Sequence, residues 1–316
     1  MKRNIKKFLF PAVAVAVLSF AACSDWTETE SLDINYPTLE EQNPELYKQY
    51  LKALRDYKAG EHKVVLVSMD NTTSAPAQRN EHLTTMPDSV DIICLMNPDN
   101  LHPTLAGEFA KVREKGTRVI YNIDYNAIEK LWEKVLADEE ANKPEEPANP
   151  STPEATQDEG GEGGGEGEPT PEEELELRFL EFCRQQTVSQ LNLCAKYGYD
   201  GVQVNYTGRA PQAMQEEEKA QYAARQEAFF SNVKTWNEAN SGKVLVFQGN
   251  PQNLIDKSVL GECDYIVIPA LTATSADKMS FAVLMAAVED VPTDRFVIGV
   301  TTPSLTDLSD ESGYFS

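Results

Sequence analysis

The feature that most restricts this chain is a repeated alternation. Seven short runs rich in Val and Ile, at 64–69, 90–96, 118–123, 201–206, 244–247, 265–268 and 296–300, are almost continuously apolar. A strand with one wet face alternates apolar and polar residues. Unbroken runs belong to parallel strands covered on both faces. Segments of helical period fall between most of them, at about 103–115, 126–142, 172–197, 216–240 and 274–289. Another helix opens at Asn43-Pro44-Glu45, with a cap, Pro in the first turn and an acid behind it. Repeated βα units require an α/β fold with a parallel sheet. An open seven-stranded sheet would leave two bare edges, and a closed barrel of eight units takes about 250 residues. The expected fold over 43–316 is therefore a TIM-type (β/α)8 barrel whose eighth βα unit is absent from this chain.

One segment breaks the pattern. Residues 143–170 hold Pro144, Pro147, Pro150, Pro153 and Pro169 and a Gly/Glu run, with no large apolar residue. Such a stretch cannot bury a core, so it is expected to be a disordered acidic insertion in the third crossover. Its glycines are no phosphate cradle: no Lys-Ser/Thr follows them, and the glutamates among them would repel phosphate.

The N-terminus carries an address. Lys2, Arg3, Lys6 and Lys7 precede an apolar stretch from Phe8 to Phe20, too short for a comfortable membrane span. It ends at Ala21-Ala22-Cys23. Small residues before a cysteine resemble a bacterial lipobox, which implies a signal peptide at 1–22, lipidation of Cys23 and a tether over 23–42. A plain secretory signal with Cys23 incidental is the alternative. Ser24-Asp25-Trp26-Thr27-Glu28 is similar to the export tag of Bacteroidetes-type surface lipoproteins, which implies a lipid-anchored, surface-exposed location on the outer membrane.

Charge and rare residues narrow the classes. Lys and Arg number 28 against 51 Asp and Glu, a net charge of −23. No basic stripe exists to neutralise phosphates, so nucleic acid is excluded as a partner, and the membrane is met only through the lipid anchor. Cys94, Cys183, Cys194 and Cys263 show no CxxC spacing and read as small buried apolar residues. His62, His82 and His102 have no ligand spacing, so neither a metal site nor a cofactor is expected.

Barrels do their chemistry where strands end. The most informative end is the fourth, Asp200-Gly201-Val202-Gln203-Val204-Asn205-Tyr206-Thr207. Alternation turns Gln203, Asn205 and Thr207 to one side and Val202, Val204 and Tyr206 to the other. Within a barrel the polar set would face the axis. This strand resembles the signature of glycoside hydrolase family 18, the chitinases and endo-β-N-acetylglucosaminidases, whose pattern is Asp-Gly-x-Asp-x-Asp-x-Glu. Asp200 and Gly201 match it. Gln203 and Asn205 stand for the second and third Asp, and Thr207 for the Glu. The strings Gly249-Asn250-Pro251-Gln252-Asn253-Leu254 and Ala273-Thr274-Ser275-Ala276-Asp277 look like one branch, the family-18-like lipoproteins encoded beside outer-membrane glycan importers.

The resemblance implies a substrate-assisted reaction. The glutamic acid protonates the leaving oxygen, and an aspartate two residues earlier steadies the sugar's attacking acetamide. Thr207 cannot be that acid, a loss of about 10²–10⁴-fold, and Asn205 offers no charge to the cation. No catalytic residue is therefore assigned. Asp70, Asn97, Asp124, Gln203, Asn205, Tyr206, Thr207, Gln248 and Asn250 are the glycan-binding candidates, with Tyr206 and Tyr125 as sugar platforms or, equally, rings packed against a helix, and Asn71 and Thr272 at further strand ends. The expected function is capture of N-acetylglucosamine-containing oligosaccharides for an importer and its companion lipoproteins. Two alternatives stand beside it: an active endoglycosidase with a displaced acid at Asp124, and a structural lipoprotein whose polar ladder is only satisfied core.

Overall fold

The computed structural model describes residues 37–72, 75–142, 169–302 and 309. The expected signal peptide, Cys23, the first part of the tether and most of the acidic insertion lie outside them. The chain falls into two units, Met1–Tyr50 and Leu51–Ser316. In the first, the end of the expected tether is not extended but a turn of helix, Leu39–Gln42. Thr38 and Glu41 set it, each accepting the other's backbone N–H. Asn43 Oδ1 then accepts from Leu46 N and caps helix α1 (Pro44–Ala59), as its sequence predicts.

The second unit is one parallel sheet in sequence order, β1 (Leu66–Met69), β2 (Ile92–Leu95), β3 (Arg118–Asp124), β4 (Gly201–Tyr206), β5 (Val244–Gly249), β6 (Tyr265–Pro269) and β7 (Phe296–Gly299). Its crossovers carry α2 (Pro103–Glu114), α3 (Tyr125–Ala141), α4 (Pro171–Tyr197), α5 (Glu216–Ala239) and α6 (Ala276–Ala286). Parallel order and unbroken +1 connection are the topology of a (β/α)8 barrel, and the described residues supply seven of its strands. The face of α6 and β7 is correspondingly apolar and open, with Phe281, Leu284, Met285 and Ile298 exposed.

Both faces of the strands are buried, which is why the runs are continuous. One face of the sheet meets the helices through Ile93, Leu95, Val119, Tyr121, Val202, Val204 and Phe247. The other forms a smaller inner cluster of Ile92, Cys94, Ile120, Val244, Val246 and Val267. The aromatic stripe of α5 belongs to the first layer, with Phe229, Phe230 and Val233 buried. The four described cysteines are free and buried. Helix α4 begins where its sequence pattern places it. Thr170 and Glu173 form a reciprocal capping box and Pro171 takes the first helical position, so the insertion ends before Thr170.

A clasp recurs at the N-terminal ends of three strands. Asp91, Asp200 and Asp264 each sit one residue before a strand. Each sends its own N–H to the neighbouring strand, to Val65 O, Val119 O and Leu245 O. Each then accepts that same residue's N–H on its carboxylate, at 2.7, 2.8 and 2.9 Å. The carboxylate thus satisfies a backbone donor that the ladder has not yet reached.

His62 locks the first clasp. Its Nδ1 lies 2.9 Å from Gly60 O and its Nε2 2.9 Å from Asp91 Oδ1. Both partners are acceptors, so the ring needs both hydrogens. The Gly60 carbonyl and then Asp91 hold its pKa above the ordinary histidine value. A raised folded pKa contributes stability that is complete below the unfolded value, about 6.5, and disappears as pH rises through the folded value. Thermal midpoints measured from pH 6 to 9 should fall less in His62→Asn than in the parent. Equal slopes would show that the imidazolium is not the group lost.

Candidate functional site

The register of β3, β4 and β5 builds the mouth of the barrel. Asp124 lies beside Asn205, and Asn205 beside Gln248. Neighbouring strands are about 4.8 Å apart, so these three side chains form one row on the inner face. One layer deeper the row is Asn122, Gln203 and Val246. Gln203 is wholly buried there and donates Nε2 to Asn122 Oδ1 at 3.1 Å, while its Oε1 is buried without a partner among the described residues. It forms the floor of the row, and its burial removes it from first contact with a ligand. Asn205 is half-buried and Gln248 likewise, and neither side chain has a hydrogen-bond partner among the described residues.

The loop after β4 is pinned from both sides. Thr207 Oγ1 accepts from Asn126 Nδ2 at 3.0 Å. Thr207 O accepts from Asn250 Nδ2 at 3.0 Å and Asn253 Nδ2 at 2.8 Å. Asn250 is thereby a tie between two loops as well as a mouth residue. Gly249 lets the strands converge there: its φ is +130°, and a Cβ would stand 2.0 Å from Tyr206 O. The carboxylate of the row, Asp124, accepts from Asn126 N at 2.9 Å and caps α3. An acid at a helix start is favoured by the dipole whatever else it does.

The remaining candidates separate. Asp70 and Asn97 do meet, through Asn97 Nδ2 donating to Asp70 Oδ1 at 3.1 Å. Asn71 is buried and bonds the Asn97 backbone in both directions. Thr272 is exposed on the loop after β6. Tyr206 is a correction. Its alternation places it with Val202 and Val204 on the helix-facing side, where it is 1% exposed. Its hydroxyl accepts from Gln226 Nε2 at 2.7 Å, and its ring packs on Tyr125 and Phe230. Burial pushes that hydroxyl up to about 12, with the Gln226 bond opposing. Tyr125 is buried on the same layer. Neither ring is a sugar platform.

Asn126, Asn253 and Asn122 are the mouth residues that sequence reasoning missed. Asn126 and Asn122 flank Asp124 at the end of β3, so strand-end position alone could have found them. The tie from Asn253 to the β4 loop is long-range and carries no local signal. Among the described residues no group of three or more His, Cys, Asp or Glu could hold a metal ion.

A parallel βα barrel with a polar row at the C-terminal ends of its third, fourth and fifth strands, preceded by Asp200-Gly201, defines a barrel of the glycoside hydrolase family 18 class. The chain belongs to that family. The family model that it matches, over residues 27–158 and 172–314, is described as glycoside hydrolase family 18, BT1044-like. Among solved structures, a selenomethionine form of BT1044 carrying a Glu-to-Gln exchange is 16% identical with a TM-score of 0.50, the alignment covering 84% of this chain and 74% of that one. A GH18 chitinase from Pseudoalteromonas aurantia is 12% identical with a TM-score of 0.45, covering 80% and 84%. The likeness to BT1044 concerns the fold. No curated protein matches the chain.

Proposed function

We propose that this protein binds oligosaccharides containing N-acetylglucosamine at the barrel mouth and does not cleave them. One observation carries the reading: none of the three signature positions facing the barrel axis, Gln203, Asn205 and Thr207, holds a carboxylate. The Thr207 hydroxyl already accepts a hydrogen bond from Asn126, and it has no acidic proton to give a leaving group. Asn205 and Gln248 keep their amide donors and acceptors uncommitted, which is what sugar hydroxyls and acetamides require. Lipidation at Cys23, exposure on the outer membrane and delivery to a glycan importer with companion lipoproteins complete the proposal. They rest on the small-small-Cys ending of the signal and the acidic residues after it.

Isothermal calorimetry with chitooligosaccharides, N-glycans and mucin glycans tests binding. Asn205→Ala should weaken it about tenfold, the loss of one or two hydrogen bonds in a partly desolvated site. Retention of none of these glycans would leave the structural-lipoprotein reading standing. Cys23→Ala should abolish metabolic labelling by palmitate, and a labelled variant would refute the anchor.

A second reading keeps a hydrolase by routing the acid through Asp124. The observation in its favour is register, since Asp124 neighbours Asn205 directly. Against it stands the use of Asp124 as the cap of α3.

A further inference from the structure

A large cavity of the barrel unit lies at the opposite end from the mouth. It has a volume of about 890 Å³ and opens where the strands begin. Five Lys and Arg side chains line it, Arg55, Lys58, Arg113, Arg118 and Lys243, with His62, against three carboxylates. That excess is unexpected in a chain of net charge −23.

The three carboxylates are Asp91, Asp200 and Asp264, the strand clasps already described, and each is turned onto a backbone N–H. Arg113 bonds one of them, Asp200, at 3.0 Å, and the His62 ring, which also lines the cavity, bonds Asp91 at 2.9 Å. The other Lys and Arg side chains hold neutral acceptors or nothing. Lys58 Nζ donates to Val90 O at 2.6 Å and Thr117 Oγ1 at 2.7 Å. Lys243 Nζ donates to Tyr199 O, and Arg55 Nη1 to Glu114 O. Desolvation lowers the Lys58 pKa, with Asp91 and Asp88 opposing. Arg118 is exposed and has no hydrogen-bond or ion-pair partner among the described residues. It shares the inner face of β3 with Ile120 and Asn122 and stands about 20 Å below Asp124, at roughly 3.3 Å per residue.

Cations that cap the carbonyl ends of helices and loops would explain Arg55, Lys58 and Lys243. They leave Arg118 without a purpose and the cavity with uncompensated charge. We infer that the N-terminal end of this barrel is a second binding site, separate from the mouth, for an oxyanion group such as phosphate, sulfate or carboxylate. Arg118 contacts the anion directly, and the remaining N–H groups of Lys58 and Lys243 complete its field. A guanidinium presents a planar fork suited to such a group. The oxyanion has two sources, a free ion or a charged substituent on a glycan.

The test is calorimetric titration of the full chain with inorganic phosphate at low ionic strength, against sodium chloride at equal ionic strength. Arg118 has no partner to lose, so Arg118→Gln should fold as the parent does and keep glycan binding at the mouth. Saturable phosphate binding is expected in the parent, weakened about tenfold in Arg118→Gln, as loss of one charge-assisted contact predicts. Displacement of phosphate by a sulfated oligosaccharide, but not by its neutral counterpart, would assign the oxyanion to a glycan. Failure of both to displace it would assign it to a free ion. No saturable heat beyond that of sodium chloride, or unchanged affinity in Arg118→Gln, overturns the inference whether or not the mouth binds sugar.

Discussion

Gly201→Ala is expected to leave little or no folded barrel. Gly201 pairs with Val244 in the β4–β5 ladder. A Cβ there would stand 2.1 Å from Val244 O and 2.6 Å from Val244 N. Those are backbone atoms held in register, so they cannot swing aside as a side-chain tip could. Overpacking a core by one methylene costs about 1–3 kcal/mol when neighbours can shift. Here the strands themselves must part, at the centre of a sheet in a protein whose whole stability is about 5–15 kcal/mol. Insoluble protein, or a thermal midpoint lower by about 10 °C or more, is expected. A soluble variant melting with the parent would show that the backbone of β5 gives way at little cost.

Asp200→Ala has the next largest effect. This carboxylate accepts from Val119 N at 2.8 Å and from Arg113 Nε at 3.0 Å. Arg113 also holds Gly198 O, at the end of α4. Truncation strands a backbone donor and a guanidinium together, a loss of about 3 kcal/mol on the scale of charge-assisted bonds in partly buried sites. Asp200→Asn keeps an acceptor for Val119 N and gives up the charge, so it should lose less than half of that. Urea unfolding of the two variants measures both. Equal losses would mean that the Arg113 pairing, and not the clasp, carries the effect.

These two expectations bear on how the signature strand is read. The positions that match the family pattern, Asp200 and Gly201, are the ones the fold consumes, as clasp and as close approach. The positions that depart from it, 203, 205 and 207, face the barrel interior and its mouth. Retained motif residues therefore report the barrel, and changed ones report its chemistry.

Much of this was legible in the chain. Continuous Val and Ile runs located all seven strands because parallel strands buried on both faces leave no alternation to misread. The period of Phe229, Phe230 and Val233 identified a core-facing helix. Alternation along β4 correctly turned Gln203 and Asn205 inward. The same alternation placed Tyr206 with the valines, and of its two readings, sugar platform or ring packed against a helix, the structure keeps the second. Its partner Gln226 lies on another helix, a pairing that no local pattern announces. The clasp was visible as an aspartate directly before three of the strands, yet its role depends on which strand lies alongside. The cavity at the N-terminal end draws Arg55, Arg118 and Lys243 from distant segments, and only the folded chain brings them together.

The central claim is that the mouth binds without cutting. Prolonged incubation of the parent protein with chitooligosaccharides and with an N-glycoprotein, read by mass spectrometry of released sugars, tests it most directly when run beside calorimetry on the same sample. Binding heat with no released glycan is the predicted result. Release that disappears in Asp124→Asn would contradict it and identify the acid.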